Sequence, residues 1–400
     1  MRLRAGLWAL GFQALARGAL ATVLSLLLLE KGMTMTLLPA AMALYSAVAL
    51  LAELPSGFLA DLAGRRRTFL AAQVAYGGML VLMLAARGPA PLLFAMALFG
   101  VARALSSGSM EALVVELSLA EKGPDSLPRV TMMQEVFDTG GMALGALVGG
   151  VLHWWGAVRR GGGGSRLVLG ASLAFTLAAL GAAALFTREP DPAGAGGAPG
   201  PGDRLALAAN CFREGGPLPV MVLSAGLFGW LLGGLETYWQ PRFAALLPGQ
   251  DRLWLLGVLG GGYYLAAVGG SILAERLLRR FSPRRLFGAG GAAAALAAAA
   301  LALTGSPAMF FLLYLLLYFL IALPNMAQTV ILNQNAPGAV RATLLSGRGL
   351  VLQLGGLGGN AFAALAVGRL GVPGLWLVSA ALFAAGTALA ARRMARDPAG

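Results

Sequence analysis

The stretch Gly57-Phe58-Leu59-Ala60-Asp61-Leu62-Ala63-Gly64-Arg65-Arg66-Arg67 decides how this chain is read. It closes a long apolar run, so Asp61 stands where hydrocarbon gives way to water. The glycines permit a tight turn and a close helix contact. Three consecutive guanidinium groups follow, each able to hold a carboxylate in a bidentate fork. The pattern is that of a hinge-like polar clasp at a membrane surface.

The rest of the chain agrees with a membrane setting. Apolar side chains make up 58% of the 400 residues and charged ones 12%, a composition that in water would leave large apolar surfaces exposed. A net charge of +13 would suggest nucleic acid in a soluble chain. Here the arginines gather in short gaps between apolar runs, where membrane orientation explains them and a nucleic-acid partner is not expected. One cysteine, Cys211, excludes an intramolecular disulfide framework, and one histidine, His153, leaves little material for a metal site. No metal or cofactor is expected. The amino terminus runs into apolar sequence without a small-residue cleavage pattern, so the first run reads as a retained helix.

A span needs roughly 20 apolar residues. Twelve candidates follow in order, at 6–29, 36–60, 67–87, 90–117, 129–155, 166–187, 217–241, 253–275, 285–304, 306–333, 341–369 and 372–392. The segment 188–216 holds Pro190, Pro192 and the run Gly194 to Gly202, which cannot bury a core. It reads as a flexible cytoplasmic linker between two six-helix bundles, 1–187 and 217–400. With both termini inside, the cytoplasmic side carries 19 Lys and Arg against 8 outside, three lying within spans, as the positive-inside rule requires. Arg159, Arg160 and Arg166 violate that rule locally. With 28 Arg against 2 Lys the composition hints at a GC-rich bacterial genome, hence an inner membrane.

The stretch at 57–67 resembles the signature of the major facilitator superfamily, the loop between its second and third membrane helices. The match lies at Gly57, Leu59, Ala60, Asp61, Gly64, Arg65 and Arg66. An echo stands 214 residues downstream, where Leu273, Ala274, Glu275, Arg279 and Arg280 keep the pattern and both glycines are lost. In the fifth span Gly141, Gly145, Ala146, Gly149 and Gly150 resemble the antiporter motif of the same superfamily, with Ala146 in place of its usual proline. Arg103 followed by Gly108 resembles an arginine-bearing motif implicated in proton transfer. The resemblance implies two bundles that rock about a central site, and a gate in which Glu111 or Glu116 pairs with Arg65 to complete the clasp with Asp61. The plain alternative for the glycine motif is close packing against another helix.

Ionisable groups at membrane depth cost about 2.5 to 3.5 kcal/mol each on insertion scales, which makes them functional candidates. The first half holds Arg17, Glu53, Arg103, Glu111, Glu135 and Asp138; the second holds Glu236 and Arg348. At about 1.5 Å per residue, Glu53 and Asp138 lie about 12 to 14 Å from the cytoplasmic ends of their spans. Gln134, Asp138, Gly141 and Gly145 share a helix face, so Asp138 should point into its bundle. A carboxylate there either forms a permanent ion pair with Arg17 or Arg103, or desolvation tunes it to bind and release protons. Both fates are open for Glu53 and Asp138.

The second half offers Glu236, Tyr238, Trp239, Gln240, Tyr263, Tyr264, Asn325, Gln328, Gln353 and Asn360 as substrate contacts. Amides and aromatics in an apolar wall suit an amphipathic ligand. Trp239 reads equally as an aromatic anchor at the outer membrane interface, and Met132, Met133 and Met142 read as core packing. The expectation is an all-α transporter, functional as a monomer, that exports a small amphipathic or drug-like compound against protons. A uniporter or proton-coupled importer of a polar nutrient such as a sugar is the alternative. An enzyme is not expected, because the sequence contains neither a nucleotide-binding glycine loop with lysine nor a metal-ligand cluster.

Overall fold

A computed structural model describes residues 2–160, 163–187, 217–336 and 341–396. The linker expected at 188–216 lies outside the described residues. The rest is helical: α1 (Arg2–Ala21), α2 (Leu24–Glu30), α3 (Leu38–Ala63), α4 (Arg65–Ala85), α5 (Pro89–Ser106), α6 (Ser109–Lys122), α7 (Leu127–Arg160), α8 (Gly164–Phe186), α9 (Pro217–Leu246), α10 (Leu255–Leu278), α11 (Pro283–Leu303), α12 (Pro307–Asn335) and α13 (Arg341–Arg396). Nine described stretches are long and apolar enough to cross a membrane, and the pair α1 and α2, bent by 51°, makes a tenth.

The difference from twelve has local causes. The second expected span falls on α3, which runs unbroken from Leu38 to Ala63. The last two expected spans are two helices that meet without a loop at Gly371, whose φ of 63° and ψ of 174° are not helical, and α13 covers both. Counted with that break, every expected span has its helix or helix pair. The bend after α1 also has a cause in sequence: the Thr22 hydroxyl donates to Gly18 O at 3.0 Å, a back-bond that bends helices. Between α5 and α6, Gly108 at φ 68° interrupts the fourth span.

The chain forms two compact units, Met1–Gly194 with Leu247–Tyr264, and Ala195–Leu246 with Leu265–Gly400. In the first, α7 and α8 pack on α1, and α5 packs on α3 and α4. In the second, α13 packs on α9 and α11, and α12 on α11. Tyr263 and Tyr264, whose rings lie 4.2 Å apart, fall in the first unit.

Each unit is held by a helix pair whose backbones touch. A methyl added at Gly141 of α7 would lie 2.9 Å from Gly11 O of α1, and one at Gly145 would lie 2.9 Å from Ala19 N. Gly149 abuts the Ala19 backbone. Gly150 turns instead to Gly257, at the start of α10. In the second unit, a methyl at Gly355 of α13 would lie 2.7 Å from Gly226 C of α9, and one at Gly233 would lie 2.7 Å from Gly356 O. Gly355 and Gly359 follow Gly141 and Gly145 by 214 positions, the offset that also relates the two clasp sequences. The internal repeat is therefore a repeat of packing as well as of motif. Without a hydrophobic drive between helices in lipid, close contact of small residues supplies the association.

Replacing Gly145 by Ala should destabilise the chain by about 1 to 3 kcal/mol, because backbone cannot yield as a side chain does. Gly181 has nothing within 4 Å of an added Cβ, so Gly181→Ala should be neutral or stabilising by up to about 1 kcal/mol. Thermal unfolding of both variants in one detergent checks the opposite signs.

Candidate functional site

The clasp sequence folds as the end of one helix and the start of the next. Gly57 lies within α3, and Gly64 at φ 94° makes the turn into α4. Asp61 occupies the last turns of α3, and its side chain lies outside the described residues. Arg65 Nε meets Glu116 Oε1 of α6 at 2.9 Å, with both side chains about a third to two-fifths exposed. Arg66 takes a different role. Its Nε donates to Ala183 O at 3.1 Å and its Nη2 to Ala184 O at 2.5 Å, so it satisfies carbonyls in the last turn of α8, where a cation is also favoured by the helix dipole. In the echo, Arg279 Nη2 donates to Glu275 Oε1 at 2.6 Å, and both side chains are mostly exposed.

Glu111 sits apart from Arg65, in a polar cluster inside the first unit. Arg17 of α1 donates to and pairs with Asp138 of α7. One helical turn away on α1, Gln13 Nε2 donates to Ser106 Oγ. Arg103 hydrogen-bonds Tyr45, and the Tyr76 hydroxyl donates to Ala16 O at 3.4 Å. Glu111 lies in electrostatic range of Arg17, Arg103 and Asp138, and its carbonyl accepts Gln134 Nε2 at 2.6 Å. The cluster thus combines two cations with two anions, a balance that limits the cost of charge at membrane depth. Glu53 is half-buried on α3, and Ser56 Oγ donates to its carbonyl at 2.9 Å. Asp138 shares its face of α7 with Gly141 and Gly145, so the ion pair spans the same contact that the glycines close.

The other end of α7 holds a second group that the sequence did not advertise. His153 Nε2 lies 3.5 Å from Glu30 Oε1, and Ser165 donates to the other oxygen of Glu30. Beside it, Lys31 Nζ donates to Leu84 O and Ala86 O at 3.2 Å each, capping α4. Burial, then the positive charges of Arg166 and Arg87, hold the Lys31 ammonium below its ordinary range. Arg159 lies over the Trp155 ring at 5.6 Å, a cation–π contact that accounts for one member of the basic cluster at 159–166. The Arg160 side chain lies outside the described residues.

In the second unit Glu236 of α9 accepts a hydrogen bond from the Tyr318 hydroxyl of α12. Tyr238, Trp239 and Gln240 are buried. Trp239 is therefore no interfacial anchor: it is 1% exposed and its ring lies 5.1 Å from that of Tyr314. The candidate amides tie helices together. Thr237 Oγ1 donates to Asn360 Oδ1 at 2.7 Å, which links α9 to α13. Gln328 Nε2 donates to Ser224 Oγ at 2.7 Å and to Met221 O at 2.9 Å, while its Oε1 accepts Arg348 Nε at 2.6 Å. Arg348 also donates to Asn325. Gln353 is half-buried on α13. Tyr318, Tyr45, Gln13 and Ser106 were not among the residues chosen from sequence, because each finds its partner on a different helix and no spacing within one segment reports that; Arg348 was chosen for its charge, but its partners on α12 were not.

Comparison with solved structures agrees with this architecture. The nucleoside transporter NupG superposes with a TM-score of 0.83 at 14% identity over 99% of this chain and 100% of that one. A bacterial homologue of the human lysosomal transporter Spinster, inward-facing and unoccupied, gives 0.76 at 19% identity over 99% and 98%. A D-xylose–proton symporter gives 0.67 at 16% identity over 98% and 96%. At these identities the likeness is one of fold. No curated protein matches the chain in sequence. The family described as Major Facilitator Superfamily matches residues 7–253, more than half of the chain. With its apolar helices and its repeated packing, the chain belongs to the major facilitator superfamily and is a multi-pass membrane transporter, not an enzyme.

Proposed function

We propose that the chain exports a small amphipathic or drug-like compound in exchange for protons, by alternating access, with Asp138 or Glu53 as the group that titrates. It works in this reading as a monomer in a bacterial inner membrane, with both termini cytoplasmic and two six-helix bundles, 1–187 and 217–400, joined by the linker. The Arg17–Asp138 ion pair carries the proposal. Protonating Asp138 removes one charge of the pair and leaves Arg17 with Glu111, a carboxylate in its electrostatic range. Arg17 then has two alternative partners, one on each of two helices, and the choice between them depends on a proton. One elementary charge moving through 100 mV supplies about 2.3 kcal/mol, roughly a fiftyfold gradient. The Arg65–Glu116 pair, with Asp61, serves in this reading as a cytoplasmic gate.

A second reading is favoured by a different observation. Within their spans α12 and α13 carry the neutral amides Asn325, Gln328, Gln353 and Asn360, which suit a hydroxylated solute, and a D-xylose–proton symporter is among the solved structures that share the fold. Uniport or proton-coupled import of a polar nutrient is the corresponding function.

Inside-out vesicles with an acid interior, reported by a quenched weak-base dye and challenged with lipophilic cations, antibiotics, sugars and amino acids, separate these readings. Protein-dependent dye recovery with an amphipathic compound is expected, falling at least tenfold in Asp138→Asn or Glu53→Gln. Full recovery in both variants would remove the proton assignment, and recovery with none of the compounds would favour uniport.

The gate has its own test. A double-mutant cycle on Arg65 and Glu116 should give a coupling of about 0.2 to 1 kcal/mol in unfolding, as for exposed pairs. Transport should fall far more than so small a loss of stability explains, and the swapped pair Arg65→Glu with Glu116→Arg should recover part of it. Unchanged transport in Glu116→Gln would reduce the contact to a surface ion pair.

A further inference from the structure

Arg348 is a cation inside a membrane-spanning helix that the protein holds firmly without neutralising. The ion pairs of the described residues include Arg17–Asp138, Arg65–Glu116, Glu30–His153 and Glu275–Arg279. Arg348 belongs to none of them. Its partners are two amide oxygens, Oε1 of Gln328 and Oδ1 of Asn325. Amide oxygens accept hydrogen bonds but bring no net charge, and a guanidinium carries five N–H donors. Three therefore remain for another acceptor.

The arrangement is built and is not a side chain reaching for water. Gln328 is fully buried, and its amide nitrogen is fixed on Ser224 and Met221 O of α9, so its oxygen is set in place before Arg348 arrives. A long basic side chain near a helix end ordinarily snorkels outward. Arg348 stands seven residues into α13, and the amides it grips stand seven and ten residues from the end of α12, at its own depth and deeper. That depth is about 10 to 15 Å along the helix. The head group has been turned inward. It is not walled off, however: Asn325 is exposed, Arg348 is half-buried, and the flanking Gly347 and Gly349 have no atom within 4 Å of an added Cβ.

The internal repeat sharpens the contrast. At the 214-residue offset, Gln134 and Glu111 of the first unit correspond to Arg348 and Asn325 of the second, and each pair is joined by a hydrogen bond. The first unit thus has an acid where the second has an amide, and an amide where the second has an arginine. In the first unit the acid meets Arg17 and Arg103. Glu236, a half-buried acid of the second unit, is engaged by Tyr318, seven residues or about 10 Å along α12 from Asn325. Its hydrogen bond is to that tyrosine, and among the described residues no ion pair joins it to Arg348.

We infer that Arg348, positioned by Asn325 and Gln328, is a binding site for the carboxylate or phosphate group of an amphipathic ligand. The planar fork matches such groups bidentately. The inference names a substrate class for the proposed exporter and rests on its taking an amphipathic solute. An anionic lipid headgroup offers the same chemistry.

The test uses the full-length protein in phosphatidylcholine nanodiscs, without any proton gradient, so that it stands apart from the coupling assay. The probes are 2-naphthoate, 2-naphthyl phosphate and 2-naphthylmethylammonium, measured by equilibrium dialysis with empty discs subtracted. The wild type should bind the two anions saturably and at least tenfold more tightly than the ammonium. Arg348→Gln should lose at least tenfold in anion affinity, and Arg348→Lys, which keeps the charge without the fork, should fall between. Repeating the measurement in phosphatidylglycerol discs identifies the source. Displacement of naphthoate, with an Arg348-dependent rise in melting temperature, assigns the site to lipid; affinity within twofold of its former value assigns it to a solute. Equal wild-type affinity for ammonium and anion, anion binding unchanged in Arg348→Gln or Arg348→Lys, or neither saturable anion binding nor an Arg348-dependent lipid effect would each overturn the inference. The wild-type preference and the Lys variant decide the matter even where Arg348→Gln does not fold.

Discussion

A guanidinium inside an apolar helix bundle must find acceptors for its protons and an answer to its charge. That constraint organises the polar interior of both units. Arg17 and Arg103 are offset by Asp138 and Glu111, whereas Arg348 receives amides alone. Because insertion of each uncompensated charge costs about 2.5 to 3.5 kcal/mol, the first arrangement is nearly closed on itself. The second is open to an anionic partner. Burial alone would not separate these cases; the identity of the acceptor does.

The ion pair depends in turn on the glycines. Asp138 reaches Arg17 because α7 lies against α1 with backbone atoms in contact at Gly141, Gly145 and Gly149. Larger residues there would move the axes apart and lengthen the pair. Close backbone packing and buried charge are therefore one design: the first brings the second into range, and the second gives an otherwise featureless apolar contact a register. The same packing recurs at Gly355 and Gly359, where among the described residues no charge pair accompanies it. There the Thr237–Asn360 hydrogen bond joins the two helices beside the glycines.

Much of this was legible in the chain. Composition alone required a membrane protein, apolar length located the helices, and the stretch at 57–67 identified the family before any contact was known. Helix phase placed Asp138 on the glycine face. What could not be read were partnerships between segments: Gln13 with Ser106, Glu30 with His153 and Ser165, Tyr318 with Glu236. These pairs are 82 to 135 residues apart, and no periodicity connects them. Trp239 misled for a related reason, since proximity to a span end says nothing of which side of the helix meets lipid. Gly57 looked like a turn and is helix; the positive φ belongs to Gly64, the residue that separates α3 from α4.

The 214-residue repeat suggests how such a chain acquires direction in its chemistry. Packing positions must stay small in both copies, because any side chain there meets backbone. Polar positions carry no such constraint, so Glu111 and Asn325, or Gln134 and Arg348, can diverge while a hydrogen bond still joins the two positions, to a backbone carbonyl in the first copy and to a side-chain amide in the second. Geometry is inherited at the glycines and charge is free to change beside them. A fold that repeats its contacts can in this way hold an acid-rich cluster in one copy and a lone arginine in the other, and the two differ in what they can bind without differing in how they are built.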